Sequence, residues 1–213
     1  MISKFEKLCL IFISFIFHPI FLPIYALYLI LHLTSQLYLF NNEVVVSLFF
    51  LIFIFNVLLP ALVFSLIYFS GLIASYNFSK KQERLLSSII MLIFYLFLDL
   101  YLYKVNFPFY IKIFFTAMPL LIFSLLIIQS FYHRISIHLF GIGALIGVIF
   151  FYRHEMSLAI SFSLFILPFF IAGLTTTARL VLNAHNYKET ILGLISGIAL
   201  SYTCFYLSFA YLS

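Results

Sequence analysis

Charge is what this sequence has least of. Only 8% of its 213 residues are charged while 66% are hydrophobic, and the mean hydropathy is +1.24. A soluble domain carries about 25% charged and roughly 45–50% apolar residues. The shortfall excludes an ordinary cytosolic domain and a disordered chain. Cysteine is as scarce: Cys9 and Cys204 both sit in apolar runs, so a disulfide scaffold is excluded and each reads as a small hydrophobe. The acids, Glu6, Glu43, Glu83, Asp99, Glu155 and Glu189, are few and scattered. They cannot assemble the clustered carboxylates that hold Mg²⁺ against a diphosphate, so any chemistry on phosphate is expected to run without metal or other cofactor. The six histidines show no HxxxH or HxxHH spacing, which argues against a membrane di-iron or zinc site.

Long apolar runs are what the sequence does have. They cover residues 8–33, 44–67, 85–103, 110–131, 135–151, 157–175 and 190–212. A crossing helix needs about 20 apolar residues. The pattern therefore predicts an all-α polytopic membrane bundle of six to seven helices, one integral-membrane domain over residues 1–213. The first run lacks the short core and small-residue cleavage site of a signal peptide, and reads as a retained helix kinked at Pro19 and Pro23. Its two prolines make it the run most suited to a re-entrant path. The 30 phenylalanines and 15 tyrosines read as lipid-facing and interfacial bulk. A net charge of +5 suits anionic headgroups, and no nucleic-acid partner is expected.

With seven spans, Lys4, Lys7, Lys80, Lys81, Arg84, Arg134, Arg179 and Lys188 share one membrane face, eight cations against three (Lys104, Lys112 and Arg153) on the other. The positive-inside rule puts the first face in the cytoplasm. Without the candidate site residues Arg84, Arg134 and Arg179 the balance is five against three, so the active face is left undecided.

Three polar clusters fall on the cation-rich face: residues 80–84, residues 133–138, and Ala178-Arg179 followed by His185 and Glu189 at the approach to the last helix. Taken singly, a basic run is a headgroup collar and a lone histidine an interfacial residue. Together they have a chemical purpose. Arginine forks suit bidentate phosphate contacts, and phosphoryl transfer needs its equatorial oxygens neutralised. One histidine can attack phosphorus while another protonates the leaving alkoxide. His185 and Glu189 are four apart, so a helical turn sets them side by side and lets the carboxylate fix the imidazole tautomer. His18, His32, His133 and His154 read as packed or interfacial, and Asp99 as bonded within the bundle or facing its far end.

Ala178-Arg179, five residues, His185, three residues, Glu189 resembles the third signature of the type 2 phosphatidic acid phosphatase superfamily, in which Ser-Arg precedes the histidine and Asp follows it. Ile135-Ser136-Ile137-His138 resembles the second signature, Pro-Ser-Gly-His, in the expected order. The segment ending at Arg84 is more distantly similar to the first, with Asn77 at the lysine position and Leu85 in place of proline. Phe17-His18-Pro19 through Pro23 is similar to the opening helix of small membrane relatives of this group. The resemblance implies His185 as the nucleophile that becomes phosphohistidine, Glu189 as its orienting acid and His138 as the general acid. It implies Ser136, Arg179 and Arg84 as phosphate ligands; Arg134 is a candidate to supply the charge that Asn77 lacks. The implied protein is a lipid phosphatase of a bacterial inner membrane, acting on a lipid with a phosphate headgroup. Ala178, Asn77 and Glu189 depart from the pattern, and Ala178 and Asn77, with Ile135 and Ile137 in the altered Ser-x-His loop, favour the alternative: a catalytically weak or inactive relative with a structural, lipid-binding or partner-assembly role. A small transporter would need a polar path across the bilayer, whereas these residues gather at one end.

Two glycine pairs add a packing expectation. Gly143/Gly147 and Gly193/Gly197 are small-xxx-small spacings, which let membrane helices approach closely. They lie on the helices that carry His138 and His185, so those helices are expected to touch there and bring the two imidazoles within reach of one phosphate.

Overall fold

The computed structural model describes residues 3–35, 39–73, 80–105, 107–131 and 134–213; Asn77 and His133 lie outside them. Among the described residues there are no strands and the chain forms helices α1 (Lys4–Ile16), α2 (Leu22–Leu33), α3 (Asn42–Phe69), α4 (Lys81–Tyr103), α5 (Phe109–Phe131), α6 (Ile137–His154), α7 (Phe162–Val181) and α8 (Tyr187–Leu212). Helices α3 to α8 are the six long and apolar enough to cross a bilayer. The shortest of them, α6, has 18 residues and spans about 27 Å at 1.5 Å per residue.

The first apolar run is two short helices. α1 has 13 residues and α2 has 12, with the chain leaving helical geometry between them at His18-Pro19. The residue before a proline is pushed out of the α region, and proline lacks the N–H that would continue the ladder. α1 begins with a capping box: Glu6 N–H donates to Ser3 Oγ (3.1 Å) and Ser3 N–H donates to Glu6 Oε2 (2.8 Å).

The chain groups into two compact units, Met1–Ala26 with Ile135–Tyr206, and Leu27–Arg134 with Leu207–Ser213. In the second unit α4 and α5 pack as an antiparallel pair. Lys81 Nζ donates to Ser130 O (2.6 Å) and Ser88 Oγ to Gln129 Oε1 (2.8 Å), tying the start of α4 to the end of α5. α3 widens to a π-helical turn over Ile54–Leu58. Pro60 explains it, because a proline removes the bond to the carbonyl four residues back and its ring crowds that carbonyl, here that of Asn56. The Asn56 side chain is buried there and accepts a hydrogen bond from the Tyr95 hydroxyl. Asp99 accepts from Thr116 Oγ1 (3.1 Å), a bond within the bundle.

In the first unit α6 is the core: its side chains from His138 to Val148 are nearly all buried. α7 packs on α6 and on α1. α6 and α8 meet backbone to backbone at the glycines, as their spacing predicts. A Cβ on Gly197 would come within 2.1 Å of Phe140 O, on Gly143 within 2.3 Å of Leu194 O, and on Gly147 within 2.5 Å of Ile198 O. Ser201 Oγ donates to Ala144 O (2.9 Å) across the same contact. One boundary departs from the sequence expectation. α7 runs on past residue 175 to Val181, so Arg179 lies in its last turn and not in the approach to α8. The threonines there lie within the helix, with Thr177 returning its hydroxyl to Gly173 O (3.0 Å), and the helix begins at the Ser161 cap, whose side chain accepts from Leu164 N–H.

Candidate active site

The turn between α7 and α8 sets the first half of the site. α7 ends in a Schellman motif: Ala184 N–H donates to Arg179 O (3.0 Å) and Asn183 N–H to Leu180 O (3.0 Å), with Asn183 in the left-handed region at φ 52°. Asparagine tolerates that conformation better than most residues. The reversal doubles the chain back, and His185 N–H reaches Arg179 O (3.4 Å). Arg179 and His185 are thereby neighbours.

α8 then opens with a second capping box. Glu189 N–H donates to Asn186 Oδ1 (2.9 Å), and Asn186 N–H donates back to Glu189 Oε2 (3.3 Å). Asn186 Nδ2 also holds Glu189 Oε1 (3.1 Å). The carboxylate so fixed pairs with His185 Nδ1 at 2.7 Å, both side chains largely buried. A carboxylate can only accept, so the ring proton sits on Nδ1 and the lone pair on Nε2.

The other half is the start of α6. Ser136 is its N-cap residue and is fully buried. Its N–H donates to Glu189 O (3.1 Å), which locks the two helix openings together. Gly193 lets this happen, since a Cβ there would lie 2.5 Å from Ser136 O. His138, in the first turn of α6, is buried. Its ring meets the ring of His18 edge to face, with centroids 5.0 Å apart and planes at 88°. The Ser14 main chain is hydrogen-bonded with His138, and Arg179, His18 and His185 are all near enough for their charges to act on it. Arg179 acts on His18 in the same way.

Of the residues singled out in the sequence, the structure brings together Ser136, His138, Arg179, His185 and Glu189. Arg84 belongs to the other unit, buried in the first turn of α4 next to Glu83, whose Oε2 accepts from Lys80 N–H (3.2 Å). Arg134 is exposed just ahead of α6. Ala178, where the resembled signature has serine, is fully buried.

Two contacts escaped the sequence reading. Asn186 holds the carboxylate, and its signal was local: Asn-x-x-Glu ahead of an apolar run is a capping-box pattern. His18, read as packed or interfacial, does pack, and the partner the sequence did not reveal is the ring of His138, met edge to face. His18 Nδ1 accepts from Ile20 N–H (3.3 Å), which directs a neutral ring's N–H to Nε2.

Chemically, the cluster offers two imidazoles, a guanidinium, a buried hydroxyl and the opening turn of α6. Helix N-termini and arginine forks both favour oxyanions. Among the described residues no three His, Cys, Asp or Glu side chains are grouped as metal ligands. Set beside known proteins, the chain matches no protein-family model, no curated protein and no solved structure.

Proposed function

We propose that this integral membrane protein is a metal-independent lipid phosphatase, hydrolysing a phosphomonoester or diphosphate of a lipid through a phosphohistidine on His185. The observation that carries the reading is the 2.7 Å pair of His185 Nδ1 and Glu189 Oε2 beside Arg179 and His138. With Nδ1 protonated and held, Nε2 attacks phosphorus. The P–N bond forms as the bond from phosphorus to the leaving oxygen breaks, and protonated His138 gives its proton to that oxygen, which belongs to an alkoxide for a monoester and to a lipid phosphate for a diphosphate. Water, deprotonated by His138, then cleaves the P–N bond and releases phosphate. Arg179 balances charge on the equatorial oxygens, and Glu189 stabilises the imidazolium.

The order Ser136, His138, Arg179, His185, Glu189 supports the reading through its resemblance to the phosphatase superfamily. That resemblance also suggests a bacterial inner membrane and substrates such as phosphatidic acid, phosphatidylglycerol phosphate or a polyprenyl diphosphate. The test is phosphate release from each lipid by purified protein with EDTA present. Activity that persists without divalent ions and disappears in His185→Ala supports the proposal; activity unchanged in His185→Ala sinks it.

One observation favours a second reading, an inactive relative that binds lipid or a partner. Ala178 faces the buried interior without the hydroxyl of the resembled signature. Under that reading no lipid yields phosphate, and His138→Ala changes stability alone.

A further inference from the structure

Hydroxyls on these helices have a default partner: buried Thr190 donates to Tyr187 O (2.8 Å) and buried Ser201 to Ala144 O (2.9 Å), and the more exposed ones turn back on their own helix. Ser47, Ser65, Ser124, Ser130, Thr177, Ser196 and Thr203 each return the hydroxyl to the carbonyl four residues earlier, at 2.6–3.0 Å. Ser14 and Thr175 decline it. Ser14 on α1 and Thr175 on α7 have Leu10 and Ile171 carbonyls behind them, yet Ser14 Oγ and Thr175 Oγ1 are buried with no hydrogen-bond partner. Ser136 Oγ is in the same condition: it stands at an N-cap, where serine normally holds a first-turn N–H, and makes no such bond. The exposures are 7% for Ser14 and 0% for both Ser136 and Thr175. A buried hydroxyl with nothing to bond is unfavourable, and three in one unit point to a missing polar occupant.

Their positions converge. Ser136 is two residues from His138, and the Ser14 main chain bonds that ring. Thr175 lies one turn before Arg179 on the same face of α7, Ser14 lies in the last turn of α1, four residues ahead of His18 in the segment that follows it, and α1 packs on α7. The arginine and the histidines thus form an outer layer and the two hydroxyls an inner one.

The geometry points to Ser14, Thr175 and Ser136 as the inner wall of a tetrahedral oxyanion site, their hydroxyls donating to the non-bridging oxygens of a phosphate group. Thr175 then supplies from one turn earlier the hydroxyl that Ala178 lacks. A carboxylate has two oxygens; three hydroxyls with a guanidinium and the opening turn of α6 offer donors enough for a phosphate. The choice of phosphate rests on the phosphatase reading, whereas the wall itself rests on the unbonded hydroxyls.

The experiment uses the full chain in phosphatidylcholine nanodiscs with two probes, inorganic phosphate and dioleoylphosphatidic acid. Thr175→Val and Ser14→Ala are compared with Thr175→Ser and with Thr177→Val, whose hydroxyl is already bonded. Thr175→Val and Ser14→Ala should each weaken binding about tenfold, the scale of a lost hydrogen bond to a charged group. Thr175→Ser should restore it and Thr177→Val should leave it unchanged. Without phosphate, Thr175→Val should unfold no earlier than the parent, since it removes only an unbonded hydroxyl. Loss with both probes assigns the site to phosphate in general, and loss with phosphatidic acid alone assigns it to a lipid headgroup. Parent-like binding by Thr175→Val and Ser14→Ala overturns the wall, and if phosphate is still released the phosphatase reading survives it. Weakened binding with no lipid ever hydrolysed keeps the wall and removes the phosphatase reading. A parent chain that binds neither probe overturns both.

Discussion

At the residue scale the question is what holds His185, the nucleophile of the proposed reaction. His185 is oriented by Glu189, and Glu189 by Asn186 through three hydrogen bonds of 2.9–3.3 Å. The carboxylate therefore serves both imidazole and helix cap, and substitutions separate the duties. Glu189→Gln keeps the size and much of the cap but can present its amide N–H to Nδ1, favouring the wrong tautomer. Turnover should fall at least about a hundredfold, short of the roughly ten-thousandfold loss when a catalytic triad loses its orienting carboxylate, with little change in unfolding temperature. Asn186→Ala should do the reverse in emphasis: a loss of about 1 kcal/mol in stability from the missing cap, and a smaller loss of rate from a looser carboxylate. Phosphate release and thermal unfolding, measured on both variants, check the division. Equal effects on both quantities would mean that Glu189 is a helix cap and nothing more. His18→Phe keeps the edge-to-face contact with His138 and removes the nitrogens, so it asks whether His18 contributes more than shape.

Helix contact is decided by glycine at the element scale. Gly197→Ala would force a methyl against Phe140 O, which as backbone cannot swing away. It should cost about 1–3 kcal/mol, seen as a lower unfolding temperature in detergent. Gly173→Ala on α7 meets nothing within 4 Å and should be neutral or slightly stabilising, since alanine is the better helix former. The same glycine spacing made the α6–α8 contact legible in the sequence, and the apolar runs made the spans legible, because both are repeating local patterns. The His185–Glu189 pair was legible as an i, i+4 spacing. His18 against His138 was not, since 120 residues separate them and no periodicity links two rings across a fold. Nor were the ends of α7: hydropathy falls at the threonines, yet threonine can lie inside a helix with its hydroxyl on the carbonyl four residues back, as Thr177 does on Gly173 O, which a composition window does not register. The start of α1 gives a pH prediction. Hydrogen bonds from the Ser3 backbone, then its hydroxyl, hold the exposed Glu6 carboxyl below its usual range. A lowered folded value means the cap's contribution is present above the ordinary carboxylate range and lost as pH falls through the lowered value. Amide protection in the first turn of α1, the exchange rate taken relative to the intrinsic rate at each pH, should fall on acidification into that window, and in Glu6→Gln it should show no such step.

For the whole molecule, the interior is mostly apolar as in a soluble protein, but the surface is apolar too and the few buried polar groups stand out. Phe12, Phe50, Phe97, Leu100, Phe123 and Phe170 lie exposed on the long or apolar helices, while Glu83, Arg84, His138 and Thr190 are buried. Lipid is the solvent that makes this arrangement favourable, because it accepts apolar side chains without cost and leaves polar groups to be satisfied inside the protein. The reading fixes a prediction about the membrane. α7, at 20 residues, reaches about 30 Å and is the single crossing between the 155–161 segment and the turn before α8. In a chain carrying Cys9→Ala, Ala159→Cys and Lys188→Cys introduced separately at exposed positions should react with a membrane-impermeant maleimide from opposite sides of sealed vesicles. Reaction from the same side would mean that α7 does not cross, and the cluster around His138 would then lie away from a bilayer face and from lipid headgroups. Reaction from opposite sides gives more than topology. Lys188 follows His185 by one turn, so under the proposed function the face on which its cysteine reacts is the face at which a phosphate headgroup would arrive. If that face is external, product phosphate should accumulate outside intact vesicles loaded with substrate in the outer leaflet, and substrate confined to the inner leaflet should stay uncleaved until the bilayer is permeabilised or scrambled.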